Sequence, residues 1–140
     1  MNKTTFRALA QDLRRQLHLQ QGGDADTVNL LVEGVPFTLT SEPRWGEDQV
    51  LFVCDFGPLP QGDRARMLER VLETNLCMFG PHAPTFAISP GTRHLVLMGL
   101  LPLQGLTAQA LIDALPCYAL SAHQWAQTGF IEDSPEPVPA

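Results

Sequence analysis

The sequence predicts an α+β fold in the order α-β-β-β-α-β-β-α, with a mainly antiparallel, twisted sheet packed against helices. Three observations predict it. Strand-like alternation occurs in two groups whose members are joined by short turns rather than separated by helices. Helical periodicity occurs three times, before, between and after those groups. The 140 residues suit one domain with a real core, without disulfide or metal staples.

The first helix places Phe6, Leu9, Leu13 and Leu17 on one narrow stripe, behind Thr4 or Thr5 as N-cap and before Gly22-Gly23 as a stop. Val28, Leu30 and Val32 then alternate with Asn29, Leu31 and Glu33, and Phe37 and Leu39 with Thr38 and Thr40. Gly34 between them marks a tight strand connection. After the turn-like Glu42-Pro43-Arg44-Trp45-Gly46, Gln49 to Phe56 is apolar on both alternating sets over much of its length, as a central strand would be.

Gly57-Pro58 and Pro60 break that strand, Asp63 caps the second helix, and Gly80-Pro81 ends it after Phe79. Thr85 to Ser89 and His94 to Leu101 are two further strands about the turn Pro90-Gly91-Thr92. The last helix starts near Thr107 and carries Leu111, Ile112, Leu115, Leu120 and Trp125, with a kink or break expected at Pro116. The domain is read as residues 1–128, and the acidic, proline-rich 129–140 as an unstructured tail.

A formal charge of −6 argues against a nucleic-acid partner, because that affinity comes from clustered Lys and Arg. Arg64, Arg66 and Arg70 are interspersed with Glu69 and Glu73 as on a solvated helix face. No run reaches the length of a membrane span, and the opening residues lack an apolar leader core, so a reducing cytoplasm is the expected compartment. Cys54, Cys77 and Cys117 are read as buried free thiols. No nucleophile-base pair, carboxylate pair, phosphate cradle or metal spacing stands out, so the expectation is no enzyme, no catalytic residue, no cofactor and no metal. A thiol or metal-dependent hydrolase built on Cys77 and His82 ranks a distant third among the functional readings. His18, His94 and His123 are read as surface or cap residues, and Asp55 as a perturbed carboxylate or the wet end of its strand.

What remains is apolar surface in excess. On the second helix, Met67, Leu68, Val71, Leu72, Leu76, Met78 and Phe79 spread over roughly half the circumference, with Asn75 inside the arc. One sheet needs a narrower stripe, so the arc implies two neighbours, the sheet and a second copy of the helix. Asn75 would then hydrogen-bond across the two-fold axis or within its own subunit. The expected dimer interface is Met67, Val71, Asn75 and Met78, with Val96 and Met98 from the fifth strand.

The stretch LERVLETNLCMFGPHAPTFAISPGTRHLVLMGLLPLQGLTAQALIDAL resembles the Tir-chaperone (CesT-like) family, the small acidic class I chaperones of type III secretion. The matching features are a leucine-rich helix ending in Asn75-Leu76, the strand Thr85 to Ile88, the Pro90-Gly91 turn, a strand running into Leu101-Pro102-Leu103, and Gly105-Leu106 opening the last helix. With the first half agreeing in order, the likeness spans about Phe6 to Trp125. Pro116 and the bulky Cys77-Met78-Phe79 depart from the pattern.

The resemblance implies a bacterial, cytoplasmic homodimer that binds an extended N-terminal segment of a secreted effector and keeps it export-competent. The secretion-apparatus ATPase enters as a further partner on the same grounds. An extended client would add a strand to a sheet edge, with Phe6, Leu9, Leu13, Leu31, Phe37, Leu39 and Phe52 as the effector-binding set. On that reading Phe37→Asp abolishes client binding and spares the dimer, whereas Val71→Asp yields monomer or insoluble chain. The alternative is an interaction or regulatory module of the same fold without a secreted client.

Overall fold

A computed structural model describes residues 2–19, 26–41, 44, 46, 48–59, 61–81 and 83–128, with side chains from Thr5 onward. The expected tail and the glycine pair at 22–23 lie outside the described residues. The elements follow the expected order: α1 (Asn2–Gln16), β1 (Thr27–Val32), β2 (Val35–Thr40), β3 (Gln49–Pro58), α2 (Arg64–Met78), β4 (Thr85–Ile88), β5 (His94–Pro102) and α3 (Ala108–Thr128). The five strands form one antiparallel sheet in the order β1-β2-β3-β5-β4.

Alternation builds the core. Val28 and Leu30, Phe37 and Leu39, Val50, Phe52, Cys54 and Phe56, Phe86, and Leu95 and Leu97 are all buried on one face. Phe6, Leu9 and Leu13 of α1 join them from above, as do Leu111, Leu115, Tyr118, Ala122 and Trp125 of α3. Phe52 lies over Gly99, its cross-strand partner, and stacks near Tyr118 at 5.3 Å between ring centres. A Cβ at Gly99 would sit 2.9 Å from that ring, so only glycine leaves room for the aromatic.

Local chemistry explains the boundaries. Glu33 and Gly34 both have positive φ, 52° and 80°, which is the two-residue hairpin turn whose twist matches the flanking strands. Asp63 accepts from the Arg66 amide at 3.1 Å and caps α2. Thr107 does the same for Ala110 and α3.

Two helix expectations need correction. Helix α1 begins at Asn2 instead of behind a threonine cap. It stops at Gln16 because His18 takes the left-handed conformation, φ 55°, and the Leu19 amide reaches back to the Arg14 carbonyl. Helix α3 runs unbroken through Pro116, so the expected break does not occur. Burial of Leu115, Tyr118, Ala119 and Ala122 on either side of the proline offsets the roughly 3 kcal/mol that an interior proline costs.

Candidate functional site

Among the described residues this packing leaves three surfaces unsatisfied that bear on binding, and each follows from the pattern of the chain. The first is the sheet face opposite α1 and α3. There Leu51 and Val53 of β3 pair with Leu100 and Met98 of β5, and all four are only partly covered. An open cavity of about 490 Å³ lies on this face, lined by Leu51, Met98, Leu100 and Gly99 together with Pro81 and Ala83 of the α2–β4 connection.

The second surface is the outer side of α2. Met67, Val71, Thr74 and Met78 are buried in the chain's own core, while Leu72, Leu76 and Phe79 stand 67%, 78% and 87% exposed. The half-circumference arc is therefore two stripes back to back. Asn75 lies between them, and its partner is local: the side chain accepts from the Phe86 amide at 2.7 Å and donates to the Phe86 carbonyl at 3.1 Å. A side-chain amide carries one acceptor and one donor group in the same relation as a peptide, so Asn75 occupies the outward groups of Phe86 as a neighbouring strand residue would.

The third surface is the β1 edge. The two-residue turn makes Val32 and Val35 a hydrogen-bonded pair, so in the antiparallel alternation Leu30 and Val28 also direct their backbone groups to β2. Thr27, Asn29 and Leu31 direct theirs outward. The Thr27 carbonyl is taken by Arg14 Nη2 at 2.8 Å. Among the described residues nothing takes up the outward groups of Asn29 and Leu31, and the Leu31 side chain is 69% exposed.

The expected site residues divide accordingly. Of the effector-binding set only Leu31 reaches solvent; Phe6, Leu9, Leu13, Phe37, Leu39 and Phe52 are core residues of this subunit. Of the dimer set, Met67, Val71 and Met78 face the core, whereas Val96 and Met98 lie on the partly covered sheet face. Phe37→Asp and Val71→Asp consequently place a charge in the chain's own core. Sequence reasoning missed Arg14, because nothing local links it to a carbonyl thirteen positions on. The Leu72, Leu76 and Phe79 stripe lay within the arc but was not separated from its buried half.

The remaining candidates are placed by local contacts. Cys54 is buried, and desolvation followed by the adjacent Asp55 charge pushes its thiol up to about 12, well above the reactive range. Contrary to expectation, Cys77 and Cys117 are exposed, because each falls on the outer side of its helix. Asp55 bonds His94 Nδ1 at 3.0 Å and the Gly57 amide at 2.8 Å, tying β3 to β5 at the irregular register beside Gly57. His123 Nε2 donates to the Glu33 carbonyl at 2.6 Å, and His18 ends α1. His82 lies outside the described residues, and among those described no group of three or more side chains could hold a metal. No helix among them is long and apolar enough to cross a membrane.

Known proteins share this architecture. A chain of the Pseudomonas aeruginosa ExoT–SpcS complex superimposes with a TM-score of 0.58 at 23% identity, over 86% of this chain and 96% of that one. A chain of the HopA1–SchA chaperone–effector complex gives 0.60 at 16% identity, covering 94% and 96%. A chain of the ExsC–ExsE complex gives 0.64 at 15%, covering 94% and 98%. These likenesses show the fold. A comparison with curated proteins finds no match. The family model for the Tir chaperone protein (CesT) family matches residues 8–126, taking in every strand and most of each helix, and on that match the chain belongs to the Tir chaperone protein (CesT) family.

Proposed function

We propose that this chain is a type III secretion chaperone: it binds an extended N-terminal segment of a secreted effector and keeps that segment soluble and competent for export. Membership of the family supports the class of function. The observation that carries the binding mode is the β1 edge at Asn29 and Leu31, unpaired among the described residues and carrying an exposed leucine. An extended client would supply the missing backbone hydrogen bonds and lay alternate side chains against Leu31. Phe37, Leu39 and Phe52 then act from beneath, by holding the strand that presents the edge.

Ordering a client of this kind costs roughly 2 to 5 kcal/mol of the gross interaction energy, so the contact area must be large. A homodimer supplies it. The second copy covers the Leu72, Leu76 and Phe79 stripe of α2 together with the partly covered sheet face around Val96 and Met98. In this reading the chain performs no chemical step, works in the bacterial cytoplasm as residues 1–128 of a single domain, and delivers its client to the secretion-apparatus ATPase. Co-expression with candidate effectors, followed by limited proteolysis, tests the proposal. Co-purification with an effector and protection of one N-terminal segment is expected. A chain that purifies without any effector and protects none overturns it, and a soluble monomer by light scattering overturns the dimer.

A further inference from the structure

The β1 edge is bracketed at both ends by helix side chains. Arg14, in the last turn of α1, donates to the Thr27 carbonyl at 2.8 Å. His123, near the end of α3, donates through Nε2 to the Glu33 carbonyl at 2.6 Å, on the hairpin turn; the carbonyl can only accept, so Nε2 carries the proton. Between these two points lie the outward N–H and C=O groups of Asn29 and Leu31.

From this bracketing we infer that Arg14 is the register stop of the added strand. With its guanidinium on the Thr27 carbonyl, an extended segment pairs with Asn29 and Leu31 and no further, and a frame that slides toward Thr27 must first displace a charge-assisted hydrogen bond. A slip of one residue would turn every client side chain to the opposite face, so a fixed end to the ladder selects which client side chains meet Leu31. The inference rests on the edge-pairing reading above and adds the residue that limits it.

The test follows backbone amide signals by nuclear magnetic resonance in the full chain while a synthetic peptide of alternating Thr and Val is added to about 5 mM, a range suited to weak single-strand contacts. Saturable shifts at the Asn29 and Leu31 amides are expected, with exchange slowed at least about tenfold and the Thr27 amide unchanged. In Arg14→Ala the affected set should extend to Thr27, while Arg14→Lys restores the boundary in part. Equal response of Thr27 in the unaltered chain, or an unchanged boundary in Arg14→Ala, overturns the register stop and leaves edge pairing standing. No response at Asn29 or Leu31 overturns both, while the chaperone reading stands or falls separately on co-purification with an effector. Should Arg14→Ala fail to fold, the position of the boundary in the unaltered chain alone decides the matter.

Discussion

The two edges of the sheet have opposite fates. At the β4 edge α2 runs alongside, and the Asn75 amide satisfies both outward groups of Phe86. At the β1 edge Arg14 takes the Thr27 carbonyl, and among the described residues nothing takes up the next two outward residues, beside an exposed leucine. Open edges invite unwanted pairing and are usually blunted by short length or charge. A dedicated amide on one edge and a short open window on the other leave the two edges unequally available for pairing with another strand.

The largest effect that bears on this contrast is expected from Phe37→Asp. Phe37 is 1% exposed in the strand behind the open edge, so a carboxylate there is buried without a partner, at a cost of at least about 4 kcal/mol. Loss of cooperative unfolding by denaturant titration checks it; a stable variant that lacks only client binding would mean Phe37 is reachable from outside.

Asn75→Ala comes next. It strands the Phe86 amide and carbonyl and should cost about 1–3 kcal/mol, with faster amide exchange at Phe86. If the guard matters, the variant should also self-associate through β4. Unchanged stability and exchange would mean that water satisfies this edge equally well, and the contrast between the edges would fail.

Leu31→Asp is the complementary change. Because the side chain is mostly in solvent, stability should move by no more than about 0.5 kcal/mol, while effector binding falls at least about tenfold by calorimetry, or about 1.4 kcal/mol. Undiminished binding would move the client to another surface.

The smallest effects come from the thiols. Native alkylation near pH 8 should modify Cys77 and Cys117 and spare Cys54. Cys54 also contributes a pH dependence of known sign. Burial pushes its folded thiol up to about 12, against 9.0 for an unburied thiol, so the unfolded chain loses that proton first. The associated stability is complete below about pH 9 and is lost as pH rises toward 12. Denaturant midpoints measured across that window check the direction.

Most of the fold was legible because it follows from periodicity and local turn chemistry. The Asp63 cap, the Glu33-Gly34 turn and the strand runs depend on residues within a few positions of one another. The exceptions were places where a longer-range or conformational term won: His18 stopped α1 in the left-handed region, and packing on both sides carried α3 through Pro116. The site was less legible. The apolar excess on α2 and on the β3–β5 pair could be seen, but which residues of each set remained on the surface could not.

By itself, then, the amino-acid order determined the succession of elements, the buried alternation within each strand and the surplus of apolar area, since each is a matter of spacing along one chain. Only the tertiary structure decided that Asn75 turns to Phe86, that Arg14 reaches Thr27, and that Leu31 alone among the expected binding residues meets solvent. Those outcomes depend on which element lies beside which sheet edge. A side chain's partner eleven or thirteen residues away is set by the packing of whole helices against the sheet, and no local pattern encodes it.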